Sequence, residues 1–358
     1  MKKFIYPPIN SGFLLVFIFS FLSFFVQGQT GPPVLKIAFG SCGHQDKPQP
    51  ILAQTAELKP DIFIFLGDNI YGDTKNMDTL KAKYQRLGAR PEFQKLLSST
   101  KVLATWDDHD FGENDAGRHY PMKEKSKQIF LDFWKEPKES ERRKHKGIYH
   151  SYLHTIGNLS VQIIMLDVRT FRDNVKLAEP KLRKHLGKTF FYDLDYLPEI
   201  NPDSTLVGAE QWKWLENQLN EVSDIKLICS GTQFGISFNG YESWANFPQE
   251  QSKMAKLIQK TRANGVVFLS GDVHYGEISK INFPNLYPIY DFTSSGITSR
   301  WDFATPNENR IEGPIMENHF GLLSIFEEKD PLLRMEIWDV AQNQRLEYKV
   351  KLSEISFK

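Results

Sequence analysis

The chain has 358 residues, and its 44 basic and 44 acidic side chains give a formal net charge of zero at pH 7 with histidine neutral. That balance carries no basic footprint for nucleic acid, and a basic run such as Glu141-Arg-Arg-Lys-His-Lys146 reads as a solvated segment. The length exceeds that of an ordinary domain but suits a single α/β domain with a large core.

The opening residues Met1-Lys2-Lys3 are basic, and an apolar run from Phe13 to Val26 leads into Gln27-Gly28-Gln29. Residues 1–28 therefore read as a secretory signal peptide, because the run is shorter than the roughly 20 residues a spanning helix prefers. Cleavage near Gly28 removes Lys2 and Lys3 and takes the net charge from 0 to −2. No later stretch is apolar for long enough to span a bilayer. Residues 32–358 are expected to form one soluble domain, exported to the periplasm or the extracellular space.

Downstream, short apolar runs alternate with amphipathic stretches, the pattern of a layered α/β domain. In chain order the spacing predicts a strand at 34–39, a helix at 50–58, strands at 62–66 and 102–105, and a helix at 123–134. A strand at 161–166, a helix at 209–222, a strand at 225–229, a helix at 249–263 and a strand at 266–269 follow. Trp212, Leu215 and Leu219 fall at helical spacing, and Asn264-Gly265 stops the last helix. Residues 173–203, rich in Lys, Pro and Leu without a period, read as a long loop. The C-terminal strands fall at 290–293, 321–326 and 333–338, the last two alternating as an antiparallel edge does.

Apolar run after apolar run ends in Gly, Asp, Asn, Cys or His. The runs lead into Gly40-Ser-Cys42, Gly67-Asp-Asn-Ile-Tyr-Gly-Asp73, Asp107-Asp-His-Asp110, Asp167-Val-Arg169 and Gly271-Asp-Val-His274. In open α/β sheets the carboxyl ends of neighbouring strands line one crevice, so these clusters are expected to converge. Crowding Asp68, Asp73, Asp107, Asp108, Asp110 and Asp272 together is costly unless cations neutralise them or some are protonated. Two hard or borderline cations, held by carboxylates and one or two histidines, can clamp both oxygens of a phosphoryl displacement. A metal-bound hydroxide then serves as nucleophile and no Ser nucleophile is required. Taken singly, each cluster is equally a turn, a cap or a solvated pair.

Together with Asn114-Asp115 and the Met165-Leu-Asp-Val-Arg169 strand end, these motifs resemble those of the alkaline phosphatase D (PhoD-like) family of metallophosphoesterases, in order from about Val34 to the strand at Trp338. The resemblance implies a four-layer α/β/β/α sandwich, a centre of Fe3+ and Ca2+, and hydrolysis of phosphomonoesters, in some members of phosphodiesters. It places Cys42, Asp68, Tyr71 and His274 around iron, Asp68 as the bridge, and Asn114 and Asp272 on the calcium side. Thiolate and phenolate suit a trivalent ion; Zn2+, Mn2+, Mg2+ and Co2+ are the alternatives. The segment from Asp110 to Asn114 is one residue longer than the family spacing. Only a short lead precedes Gly40, so the groove is expected to be more open than where an N-terminal β-domain shapes it.

His109 is a candidate proton donor to the leaving alkoxide, or an orienting partner of Asp108. Arg169 forks onto phosphate oxygens or pairs with Asp167 or Asp173. Asn69, Asp108 and His44 are further candidates as ligands or supporting groups. Cys42 and Cys229 form a disulfide in one reading; in the other Cys42 binds metal and Cys229 is a buried thiol within a strand. The expected function is an exported phosphomonoesterase. The alternatives are a phosphodiesterase or phospholipase D-like hydrolase, decided by how far Tyr241, Trp244, Phe247 and the 171–203 loop crowd the crevice, and a non-catalytic metal-binding surface protein. Trp301 and Phe303 border the substrate or simply pack. The sequence leaves the oligomeric state open.

Overall fold

The structure, a computed structural model, describes residues 31–178 and 195–358. The signal-peptide segment 1–28 and the middle of the 173–203 loop lie outside the described residues. In chain order the elements are β1 (Leu35–Gly40), α1 (Pro50–Glu57), β2 (Ile62–Leu66), α2 (Met77–Gly88), α3 (Pro91–Ser99), β3 (Lys101–Thr105), α4 (Asp108–Phe111), α5 (Lys123–Phe133) and α6 (Glu141–Lys144). The central part comprises β4 (His150–Ile156), β5 (Leu159–Met165), β6 (Lys176–Leu177), β7 (Tyr196–Leu197), α7 (Gly208–Asn220), β8 (Ile225–Ser230), α8 (Pro248–Thr261) and β9 (Val266–Ser270). The chain closes with β10 (Gly276–Ile281), β11 (Ile289–Ser294), β12 (Arg310–Ile315), β13 (His319–Phe326), β14 (Leu332–Asp339) and β15 (Gln344–Lys351). All belong to one unit, Pro32–Lys358.

Two large sheets form the centre. One has the order β15-β14-β13-β1-β2-β3 and the other β12-β10-β11-β9-β8-β5-β4. Strands β1, β2 and β3 run parallel, as do β5, β8, β9 and β11, whereas the C-terminal strands add antiparallel. Successive strand side chains point to opposite faces. Accordingly Ile37, Phe39, Ile62, Ile64 and Leu66 face the second sheet, while Ala38, Phe63 and Phe65 face α1, α2, α3 and α5. Phe39 meets Phe292 across the sheets, edge to face at 4.8 Å. On the far side Trp212, Leu215 and Leu219 of α7 and Met254 and Ile258 of α8 cover the second sheet. The layers are helix, sheet, sheet, helix.

The predicted elements appear with boundaries shifted by at most two residues, and α2, α3, α4, α6, β4, β10, β12 and β15 are additions, as are the two-residue strands β6 and β7 within the stretch expected to be loop. Helix α2 carries Leu80, Tyr84 and Leu87 on its buried face and starts at Asn76, whose side chain accepts from Asp78 N and Thr79 N. The antiparallel edge is corrected: β13 is interior, paired with both β1 and β14, and the edge is β15. Its exposed Arg345, Glu347, Lys349 and Lys351 explain why it lacks an apolar signature.

Candidate active site

The carboxyl ends of β1, β2, β3 and β9 open on the same side, and the chain turns sharply at each. Six of the eleven described non-glycine residues with positive φ lie here: Cys42, Asp68, Asp73, Asp115, Asp272 and His274. Each such residue costs about 1–3 kcal/mol unless its surroundings hold it, so their concentration marks a place where side-chain position outweighs backbone comfort. The close packing has its own glycine requirement: at Gly271 a Cβ would lie 2.7 Å from Ser41 Oγ and 2.9 Å from two carbonyl oxygens.

Cys42, Asp68 and His274 come together with ligating atoms within 4.8 Å of one another. The Cys42 sulfur is 3.3 Å from Asp68 Oδ2, and Tyr71 Oη is 3.2 Å from His274 Nε2. Burial pushes the Cys42 thiol up to about 12, against hydrogen bonds with Ser295, Ser41 and Asp68 that pull it down, and burial followed by Cys42 holds the Asp68 carboxyl well above its ordinary value. Burial also holds His274 down at about 4, a neutral imidazole. Cys42 and Cys229 are both buried free thiols.

A second group, Asp68, Asp108 and His109, shares Asp68. His109 Nδ1 lies 2.8 and 2.9 Å from the two Asp73 oxygens, leaving Nε2 as the nitrogen for other work, and its ring sits 4.2 Å from that of Tyr71. Burial disfavours the imidazolium, but Asp68, Asp73 and Asp108 overcome it and raise His109 to about 10. Asp272 accepts from Thr232 Oγ1 at 3.1 Å, and burial followed by Asp107 raises its carboxyl strongly.

Arg169 is buried behind this surface. Its Nε lies 2.5 Å from Asp107 Oδ1, its Nη1 2.8 Å from Glu242 Oε2, and its Nη2 3.7 Å from Asp108 Oδ1. Its ion-pair partners are therefore Asp107, Glu242 and, at longer range, Asp108. Asp167 instead accepts the Arg169 and Thr170 backbone N–H groups, and Asp173 pairs with Arg118. Arg172 reaches Glu242 Oε1 at 2.5 Å. Burial opposes ionisation of Asp108, yet Arg169 and His109 bring it down to about 2, while burial lifts Asp107 to about 6 against the pull of Arg169.

These groups border a cavity of about 250 Å3 lined by Asp68, Asp108, His109, Asn114, Asp272 and His274, with Tyr241 and Trp301 on its wall. Asn114 is exposed at its margin, while Asp115 beside it joins Asp108 and Glu242 in a third cluster of potential ligands. His44 stacks on Tyr71 at 5.1 Å, and its Nδ1 accepts from Asp46 N, so it supports the Tyr71 ring. Asn69 donates to Thr105 O and to Asp110 Oδ2. Trp244 and Phe247 pack in the core. Glu242 and Ser295, not anticipated, are central. The signal for Ser295 was present in Thr293-Ser-Ser-Gly-Ile-Thr-Ser299, another predicted strand running into small polar residues.

Residues 37–319 match the family of PhoD-like phosphatases. The chain belongs to that family. Alkaline phosphatase D of Bacillus subtilis (strain 168) is 26% identical over 304 residues, 74% of this chain and 49% of the relative, so the PhoD-like chain spans about half the length of the curated relative it matches. The solved structure of PhoD shares the fold with a TM-score of 0.66 at 17% identity, covering 90% of this chain and 72% of that one. GAP50, described as the anchor in the inner membrane complex of Plasmodium, superposes with a TM-score of 0.55 at 10% identity over 89% of both chains. The similarity to these two structures concerns fold. Among the described residues no helix is long and apolar enough to cross a membrane.

The donor set fits cations. Asp68 Oδ1 and Asp107 Oδ2 are buried without any hydrogen-bond partner, and a buried carboxylate oxygen in that state is stabilised by a positive charge. Sulfur, imidazole and phenol on one side of Asp68, and the Asp108 carboxylate with the His109 imidazole on the other, make two chemically different half-sites.

Proposed function

We propose that this PhoD-like chain is an exported, metal-dependent phosphoesterase that hydrolyses phosphomonoesters. The observation that carries the reading is the sharing of Asp68 between two ligand groups at one cavity. In this proposal Cys42, Asp68, Tyr71 and His274 hold Fe3+, and Asp68, Asp272 and Asn114 hold Ca2+ beside Asp108. Anionic sulfur and phenolate favour the trivalent ion, and the oxygen-rich side favours calcium. When bound, such a pair supplies Lewis-acid stabilisation of charge on the phosphoryl group. His109, with Nδ1 fixed by Asp73, presents Nε2 to the departing oxygen and delivers its proton there. Arg169 positions Asp107, Asp108 and Glu242 from behind, since its guanidinium is fully buried among them. The signal-like residues 1–28 support export.

Phosphodiester hydrolysis of the phospholipase D kind is the second reading. It is favoured by the burial of Trp244 and Phe247, which leaves Tyr196, Tyr241 and Trp301 at the cavity. Hydrolysis of nitrophenyl phosphate compared with bis-nitrophenyl phosphate separates the two. A higher kcat/KM for the monoester is expected, and a clear diester preference reverses the assignment.

A further inference from the structure

Ser295, fully buried just after β11, touches the candidate centre at more than one point. Its Oγ lies 3.0 Å from Ser41 Oγ, 3.0 Å from the His274 backbone nitrogen and 3.1 Å from Cys42 Sγ. A hydroxyl has one proton to give and two lone pairs to fill. The His274 N–H only donates, and takes one lone pair. Ser41 Oγ accepts from Asp272 N and directs its own proton to Ser295 at 3.0 Å, the alternative acceptors Ser294 O and Cys42 Sγ being farther at 3.4 and 3.5 Å. With both lone pairs filled, the Ser295 proton has one remaining partner, the Cys42 sulfur.

The backbone holds this hydroxyl in place. Ser295 N–H donates to His319 Nε2 at 3.2 Å, and His319 Nδ1–H donates to Glu317 O at 2.8 Å, which fixes the tautomer. Downstream, Ile297 N bonds Ser41 O, and Thr298 N and Ser299 N both bond Cys42 O. One loop thus grips Cys42 at sulfur and carbonyl, and His274 at its amide.

We propose that Ser295 is a positioning residue of the metal centre, donating a hydrogen bond to the Cys42 sulfur and tying Cys42 to His274. The inference rests on the metal-binding reading above. A donor to a ligating thiolate withdraws electron density from the metal–sulfur bond, so its loss moves the thiolate-to-metal charge-transfer band to longer wavelength. Loss of such an outer partner also weakens metal binding, typically by about 10–100-fold.

The test uses the full chain, stripped of metal and reloaded with cobalt(II), followed by absorption and by competition with a chelator. Ser295→Ala is expected to shift the sulfur band to longer wavelength and weaken cobalt binding by about 10–100-fold, and Ser295→Thr, which keeps the hydroxyl, to restore both. Cys42→Ala identifies the band. If wild type shows no band that Cys42→Ala removes, the metal-centre reading falls and the role of Ser295 with it. If Cys42→Ala removes the band but Ser295→Ala leaves its wavelength unchanged, Ser295 alone is overturned, even where affinity drops through general loosening.

Discussion

Replacing Arg169 with Met asks whether one guanidinium holds the carboxylates behind the cavity. Arg169 is 1% exposed, and its loss leaves Glu242 with Arg172 at 2.5 Å. Asp107 fares worse, because its Oδ2 already lacks a partner and its Oδ1 loses the 2.5 Å bond to Nε. Breaking a buried pair from one side costs about 3–5 kcal/mol. The cost depends on pH with a definite sign. Burial, opposed by Arg169, holds Asp107 at about 6, above the ordinary carboxyl value, and removing Arg169 raises it further. A carboxyl raised on folding contributes stability that is present below its unfolded pKa and is lost as pH rises through the folded pKa. The Asp107 part of the Arg169→Met deficit should therefore be small near pH 5 and larger near pH 8, added to a part from Asp108, which Arg169 helps bring down to about 2 and which is charged at both values. Urea unfolding of chelator-treated protein, followed by tryptophan fluorescence at both values, measures it. Adding Asp107→Asn removes the stranded charge and should recover part of the loss at pH 8. A deficit below about 1 kcal/mol at pH 8, comparable to a surface change, or one equal at both pH values, refutes the reasoning.

Asp68→Asn should release metal from both half-sites, with a fall in affinity beyond the roughly 100-fold typical of losing an outer partner; elemental analysis with metal content equal to wild type contradicts the bridge. His109→Gln should lower kcat about 100–10,000-fold on alkyl phosphates and far less on nitrophenyl phosphate, whose leaving group needs no proton. Equal losses on the two substrates remove His109 as the proton donor. Gly271→Ala brings a methyl group to 2.7 Å from Ser41 Oγ and 2.9 Å from the carbonyls of Gly231 and Leu66, and should destabilise by about 1–3 kcal/mol; a melting temperature equal to the parent's shows that the strand ends yield more easily than this packing implies.

The strands that carry the candidate ligands were legible because they are buried on both faces and read as continuous apolar runs, as in β2 and β9. Strands β12 and β15 expose most of their residues and left no such trace. Cys42, Asp68, His109, Asp272 and His274 were legible because each follows one of those runs. Glu242 was not, since it reaches the cavity from a loop far along the chain and becomes significant only beside Arg169 and Arg172; Asp115 was visible in the Asn114-Asp115 motif, but its place beside Asp108, Glu242 and Tyr196 was not. The Arg169 partners were misplaced for the same reason: sequence neighbours Asp167 and Asp173 were nearer in the chain, whereas Asp107 and Glu242 are nearer in space.

The left-handed residues divide the molecule into two kinds of position for anyone seeking a hardier variant. At Lys59, Lys135 and Gln342, away from the cavity, a glycine would relieve backbone strain, where a left-handed L-residue costs about 1–2 kcal/mol. At Cys42, Asp68, Asp272 and His274 the same exchange would relax the fold while deleting a candidate ligand of the proposed centre. Selection for thermal endurance alone therefore pulls against the centre at those four positions, and heat-resistant but inert forms are the expected by-product of an unscreened library.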